Sequence, residues 1–588
     1  MKFHHQLNNV QTKTIHSLYL ILVCGLIAGL ASANLWAKQE PIFAGMHTVQ
    51  PVWAAHGMVA SQEALATDVG VDILRQGGNA VDAAVAVGFA LAVTYPRAGN
   101  IGGGGFMMIY LAGTDEVIAM DYREMAPAKA RKDMYLDENG EVIPDMSLFH
   151  GTSSGVPGSV MGMATALKKY GTMSLAEVIK PAIRLAEHGI VVSRDLSGSL
   201  SGLSERLQKW PSTTAVFYHE DGSNMQIGER LQQSDLANTL KRIAKEGTDG
   251  FYKGETAQKI AAAIQGAGGI MTVEDLANYK TVQRAAVRGN YRGYDVFSMP
   301  PPSSGGVHLV QILNILENVD MASMGHNSAA SIHYMAEAMR HAYADRSEYL
   351  GDPDFYSVPV TGLTSKAYAL QQFKQINPGK ATPSSEVKPD NPIPYESDQT
   401  THYSVVDKWG NAVATTTTLN FSYGSGLVAA GTGVLMNNEM DDFSAKEGVP
   451  NAFGLLGGEA NAVEAHKRPL SAMTPTIVLK DGKPFLVTGS PGGSRIITTT
   501  LQVIMNVIDF QMNVAEATYA GRVHQQWYPD VVRVERSLNI DTRRMLEAMG
   551  YEIAVQSAMG STQSIMVTSD GLFGASDPRS QAAKTAGY

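Results

Sequence analysis

An α-helix that is small or apolar on every side cannot lie on a surface; something must cover it all round. Residues 59–95 carry a helical pattern, and its clearest part, "NAVDAAVAVGFALAVTYP", has this character up to Pro96. The chain has the mass to bury such a helix: 588 residues, 44% hydrophobic and 17% charged, ample for a large core and, as a soft prior, for several domains. Its 58 glycines point to many tight turns in an α/β or α+β globule. The next stretch, "GNIGGGGFMMIYLAG", reads as a glycine loop running into a strand. A dinucleotide fingerprint needs the reverse order, strand before glycines before helix, so that reading fails. The net charge of −10, with no long basic run, argues against nucleic acid as a partner.

The first 33 residues differ in texture. Lys2 and Lys13 precede "LYLILVCGLIAGLASA", which closes on Ala31-Ser32-Ala33. The run is short for a membrane span and ends on a small-x-small cleavage signal, so residues 1–33 read as a secretory signal peptide. That implies a periplasmic or secreted protein with no stable membrane anchor. The single cysteine, Cys24, lies inside the run behind the bulky Val23, which suits a lipoprotein signal poorly. The exported remainder would have no disulfide, no thiol nucleophile and no cysteine-bound zinc.

Residues 155–290 read as mostly helical, and "PPPSSGGVHLVQILNILENV" as a rigid loop and another helix. "SIHYMAEAMRHAYADRSEYL" is a further helix. Residues 377–399, "NPGKATPSSEVKPDNPIPYESDQ", hold five prolines and little apolar mass, and read as a linker. After Thr400 the pattern turns to strands: "THYSVVD", "AVATTTTLN", "TGVLMN" and "TPTIVLKDGKPFLVTG", the last with Asp481-Gly482 at a hairpin turn. "SRIITTTLQVIMNVIDF" is a helix behind the loop "GSPGG".

Three constellations invite chemistry. His333, Glu337, His341 and Asp345 recur at intervals of four. Each step drifts about 40° round a helix, so at most two neighbours could share a metal ion and a polar helix edge is the plainer reading. "GTSSG" at 151–155 fits G-x-S-x-G with Ser153, but Pro157 and a weak preceding strand suit an ordinary turn better than a nucleophile elbow. The third is "DQTTHYSVVDKWGNAVATTTTLN", Asp398 to Asn420. Thr400 and Thr418 are equidistant from Trp409 in the turn, so a symmetric hairpin sets them opposite each other. Cross-strand threonine pairs are common in any sheet. A chain cut before Thr400, however, would join a hydroxyl to its own α-amine, whose pKa of roughly 7.7–8.0 suits a general base near neutral pH.

The sequence resembles the γ-glutamyltransferase (glutathione hydrolase) family of N-terminal-nucleophile hydrolases over nearly the whole exported chain. The resemblance rests on "GGNAVDAAVA", "DYREMAPAKA", "GVPGSV", "MPPPSSGGVH", "ADRSEYLGDPDF", "QTTHYSVVDKWGNAVATTTTLN", "NNEMDDFS", "KRPLSAMTPT", "GSPGGSRIITT" and "GASDPRS", in that order. It implies an α/β fold, a four-layer αββα sandwich. It implies a precursor that cuts itself between Gln399 and Thr400 into a large subunit, 34–399, and a small one, 400–588, which stay together. It makes Thr400 the nucleophile, Thr418 its support, and Gly492 and Gly493 the oxyanion hole; the glycines precede a helix, whose positive end suits an anion. It sets Arg123 and Ser471, with Ala472 beside it, on the α-carboxylate of a γ-glutamyl donor. Asn420, Glu439 and Asp442 fall on its α-ammonium. It implies glutathione and other γ-glutamyl compounds as donors, water, amino acids or dipeptides as acceptors, and no metal or organic cofactor.

Two positions depart from the pattern of relatives. Ala472 stands where some carry a second serine, and Phe453 stands in a lid-like segment where some carry tyrosine, which removes a hydrogen bond from the lid tip. Two rivals are a cephalosporin (β-lactam) acylase on the same scaffold, which would dispense with the zwitterion clamp, and a secreted binding protein with a dead site, which would stay uncut.

Overall fold

In a computed structural model, residues 47–389 and 401–588 are described. The strands that frame the site are, in chain order, β1 Val52–Ala54, β2 Met58–Ser61, β3 Gly104–Leu111, β4 Glu116–Tyr122, β5 Val282–Arg284, β6 Val287–Tyr291 and β7 Tyr294–Ser298. They continue with β8 Thr401–Val406, β9 Ala412–Thr418, β10 Thr476–Lys480, β11 Lys483–Thr488, β12 Gln563–Thr568, β13 Gly571–Ser576 and β14 Lys584–Gly587. They make two antiparallel seven-stranded sheets, ordered β1-β13-β12-β11-β10-β7-β6 and β14-β2-β8-β9-β3-β4-β5. Each sheet contains strands from both before and after position 400.

Period-two alternation explains the layering. In β3, Phe106, Met108 and Tyr110 enter the core between the sheets, while Met107 and Ile109 point to the helical side. In β10, Ile477 and Leu479 face that same inner core, and Val478 faces the opposite helical layer. Both faces of both sheets are apolar, so helices must cover the outer faces, and the result is an αββα sandwich. Helices α1 Ala64–Arg75 and α2 Ala80–Thr94 cover the second sheet's side, and α3 Gly305–Leu316, α4 Ala329–Tyr349 and α5 Arg495–Ile508 the first sheet's.

The all-apolar stretch is α2, and each of its fifteen residues is buried. It begins where the Asn79 side chain accepts from the amides of Val81 and Asp82, with Asp82 reciprocating, so a capping box fixes its start. The expected helix over 59–95 is interrupted: Met58–Ser61 is a strand, and Gly77, at φ +94°, breaks the chain between α1 and α2. Of "TGVLMN" only Val434–Leu435 forms a strand, paired with Val428–Ala429.

Two expectations are corrected. The stripe on α4 is no polar edge, because His333, Glu337, His341 and Asp345 are all buried. Among the described residues no cluster of three or more His, Cys, Asp or Glu could hold a metal ion. His333 is engaged by the Tyr551 hydroxyl (2.7 Å) and the Asn377 carbonyl (2.8 Å) instead. The first part of the 377–399 segment is no free linker either. Ser384 donates to the Trp527 carbonyl and its amide to Asp530, Arg340 binds both Ser384 and Asp530, and the Ala381 amide reaches Met549. Residues 390–400 lie outside the described residues, as does the signal-peptide stretch. Among the described residues no helix is long and apolar enough to cross a membrane.

Candidate active site

The hairpin β8–β9 pairs Thr401 with Thr417, His402 with Thr416 and Val406 with Ala412, a register symmetric about Trp409 as the spacing predicts. Thr418 ends β9, where it pairs with Gly104 of β3. Its hydroxyl accepts from the Asn420 amide at 2.7 Å, and its carbonyl from Asn100 at 2.7 Å. Gly103 must be glycine there, because a Cβ would stand 2.0 Å from the Thr418 carbonyl oxygen. Thr400 lies outside the described residues.

Arg123, at the end of β4, is fully buried. It donates to Glu439 and Asp442, and to the carbonyls of Pro469 (2.9 Å) and Leu470 (3.0 Å). The cation and the acids assigned to opposite poles of a ligand are thus in direct contact. Glu439 and Asp442 come from a single 3-10 turn, Glu439–Asp442, whose start is fixed by the Asn437 side chain accepting from the Glu439 amide. Asn437 also grips Gly155, so "GTSSG" is the wall behind this turn. The turn Gly151–Ser153 follows a one-turn helix, Met146–Phe149, and no strand precedes it, so the nucleophile-elbow reading of Ser153 is set aside.

A buried residue that the motifs did not single out joins the cluster. The Glu124 carboxylate lies 3.7 Å from Arg123, so three carboxyls surround one guanidinium. Burial pushes the Glu124 carboxyl up to about 7 against the pull of Arg123. Burial also raises Glu439 well above the carboxylate range; Arg123 opposes that, and Glu124 and Asp442 add to it. Among the described residues, Asn420 Oδ1 and Glu439 Oε2 are buried with no hydrogen-bond partner. Buried acceptors left open cost on the order of 1–3 kcal/mol each, so this arrangement suits a donor-rich ligand such as an ammonium.

Ser471 adjoins the cluster through Leu470. Its amide donates to Pro302 (2.8 Å), its carbonyl accepts from the Ser304 amide (2.7 Å), and its hydroxyl accepts from the Met473 amide (3.1 Å). Ala472 is buried beside it. The loop between β11 and α5 carries Gly492 at φ +138° and Gly493 at φ +66°. Among the described residues neither glycine amide has an acceptor, and α5 begins two residues later. This loop lies by the start of β8: a Cβ on Gly489 would stand 2.6 Å from the His402 ring. Burial holds His402 down to about 3, so it is a neutral spacer between the sheets. Gln526, carrying no motif, ties the parts together: it accepts from Ser494 (2.8 Å) and donates to the Phe453 carbonyl (3.3 Å).

Two stacked seven-stranded antiparallel sheets covered by helices on their outer faces are the αββα architecture of the N-terminal-nucleophile hydrolases. The chain belongs to the gamma-glutamyltranspeptidase family, whose model matches residues 66–587. It is 56% identical over 573 residues to the glutathione hydrolase proenzyme of Escherichia coli (strain K12), covering 97% of this chain and 98% of the relative. The acylase ACY 1 proenzyme of Pseudomonas sp. (strain SE83) is 37% identical, with 86% and 88% covered. Among solved structures, the cephalosporin acylase from Bacillus halodurans superposes with a TM-score of 0.82 at 28% identity, over 94% of this chain and 99% of that one.

Proposed function

We propose that the chain is an exported proenzyme that cuts itself before Thr400 and then hydrolyses or transfers the γ-glutamyl group of glutathione and related compounds. The observation that carries the reading is the buried Arg123–Glu439–Asp442 cluster with two open acceptors, Asn420 Oδ1 and Glu439 Oε2. A free α-amino acid brings one carboxylate and one ammonium. The carboxylate displaces an acid from the guanidinium, and the ammonium satisfies the acid so released and the open acceptors.

The reading makes Thr400 the nucleophile and Thr418, one residue beyond the Thr401–Thr417 pair, its support. After cleavage the α-amine of Thr400 takes the proton of its own hydroxyl as the oxygen attacks the γ-carbonyl. The tetrahedral oxyanion is held by the amides of Gly492 and Gly493. The proton passes to the departing amine, the C–N bond breaks, and a γ-glutamyl ester of Thr400 remains. Water yields glutamate; an amino acid or dipeptide yields a new γ-glutamyl amide. Residues 34–399 and 400–588 then remain associated as large and small subunits, behind a signal peptide at 1–33.

The cephalosporin-acylase alternative shares the scaffold but has no use for a zwitterion clamp. Purified protein assayed for glutathione turnover, with and without glycylglycine, tests the reading. Release of glutamate, and of γ-glutamyl-glycylglycine when the dipeptide is added, is expected. Deacylation of a cephalosporin with no turnover of glutathione would overturn it.

A further inference from the structure

Next to the clamp the chain leaves an open pocket of about 620 Å³, lined by Arg97, Phe149, Arg206, Phe421, Ser422 and Phe453. Phe421 directly follows Asn420, whose side chain is held on the Asn438 carbonyl at 3.0 Å. Its ring meets Phe453 at 5.0 Å and 62° and Phe149 at 6.1 Å and 63°, both edge-on. The three rings come from three separate segments and stay half-buried, so they offer an apolar face to solvent. A core cluster would have closed over them.

Arg206 lies 4.9 Å over the Phe149 ring. Its terminal nitrogens donate to the carbonyls of Gly424 and Ser422, and its Nε is buried with no partner among the described residues. Carbonyls orient a guanidinium but leave its charge in place. Arg97, by contrast, is paired with Asp195 at 3.1 Å. The pocket therefore offers three ring edges and faces and one cation that no described carboxylate neutralises.

Resting on the function proposed above, we infer that this pocket is the subsite for the part of donor or acceptor beyond the γ-glutamyl group. We infer also that it selects an aromatic ring next to a carboxylate. The clamp is closed and takes the charged α end of the glutamyl unit. The remainder of the substrate leaves past Asn420, where Phe421 directly follows in the chain and meets Phe453 ring to ring. A ring in the cage makes edge contacts of the kind already present there, and its carboxylate meets Arg206.

Steady-state kinetics of the matured enzyme on γ-glutamyl-phenylalanine, γ-glutamyl-phenylalanine amide and γ-glutamyl-glycine tests this. One aromatic contact is worth about 2- to 12-fold in affinity. The parent should therefore prefer γ-glutamyl-phenylalanine over γ-glutamyl-glycine in kcat/KM by about that factor or more, and over its amide as well. Phe421→Ala should collapse the ring preference, Phe421→Leu should reduce it, and Arg206→Gln should erase the acid-over-amide preference while leaving the ring preference. A parent with no preference among the three donors overturns the inference, as does an unchanged ring preference in matured Phe421→Ala or an unchanged acid-over-amide preference in matured Arg206→Gln. If γ-glutamyl-glycine and glutathione are not hydrolysed at all, the functional reading fails, which is a different result.

Discussion

At the residue scale the site turns on one guanidinium among three carboxyls. Arg123→Lys keeps the charge but loses the fork that reaches two partners at once, and Arg123→Ala strands three buried acids. Charged hydrogen bonds contribute roughly 1.5–3 kcal/mol, so KM for glutathione should rise by about 10- to 150-fold in the alanine variant and less in the lysine variant. Unchanged KM and kcat in a matured Arg123→Ala enzyme would remove the clamp. Glu124 adds a pH signature. Its folded pKa is raised to about 7 from an ordinary 4.5, so the folded state holds a proton that the unfolded state has released between those values. Its contribution to stability is full below pH 4.5 and is lost as pH rises through 7, by up to about 3 kcal/mol. Arg123 and Glu439 act on the same carboxyl, so the slope belongs partly to the cluster. Glu124→Gln should flatten the fall in denaturation midpoint between pH 5 and 8; an equally steep fall in the variant would assign the titration elsewhere. Arg123, Asn420, Glu439 and Asp442 were singled out because motifs marked them. The contact of Arg123 with Glu439 and Asp442 was not legible, since sequence gives charge and order but not which side chains converge. Glu124 sat in the same motif and could have been found by asking what neutralises a buried arginine, whereas Gln526 and Phe421 carry no sequence signal at all.

At the element scale, apolar periodicity was a good guide and polar periodicity a poor one. The α2 stretch, the hairpins about Trp409 and Asp481-Gly482, and helices α3 to α5 follow from apolar patterns, which report burial directly. The stripe His333–Asp345 misled, because a polar side chain buried with its partners looks in sequence like one facing water. The proline-rich segment misled for the same reason: its anchors, Arg340, Trp527 and Asp530, are distant in sequence. Glycine inside α1 shows what pattern alone misses. Alanine is normally the better helix former by about 1 kcal/mol. At Gly70, however, a Cβ would stand 2.6 Å from a Val87 methyl and 3.1 Å from a Val59 methyl, both on stiff branched side chains. Gly70→Ala should therefore destabilise the protein, by about 1–3 kcal/mol as overpacking does. A rise in the urea midpoint would show that α1 can shift away from β2 and α2 freely.

At the scale of the whole molecule, the question is what the proposed cleavage before Thr400 would do to a fold woven across that point. The ladders β1–β13, β7–β10, β2–β14, β2–β8 and β3–β9 each join a strand from before position 400 to one from after it. The β3–β9 ladder alone runs through seven residue pairs, from Ala412↔Tyr110 to Thr418↔Gly104. The core between the sheets mixes both parts, with Phe106 and Met108 against Ile477 and Val487. Burial of this kind is not screened by salt, so the cut protein should elute as one species at 1 M NaCl. Cleavage changes the unfolded state instead. An intact chain unfolds into one molecule, a cut one into two, and mass action then makes stability depend on concentration. Each tenfold rise in protein concentration should stabilise the matured enzyme by about 1.4 kcal/mol, read as a higher guanidinium midpoint at equilibrium. Thr400→Ala, expected to stay uncut, should show one midpoint at all concentrations. Mass spectrometry of the same samples should find a chain beginning Thr-Thr-His in the first protein and none in the second. A concentration-independent midpoint in demonstrably cut, reversibly unfolding protein would mean that the two parts stay together even when unfolded. Efficient cleavage of Thr400→Ala, made without other proteases, would mean that the nucleophile is elsewhere.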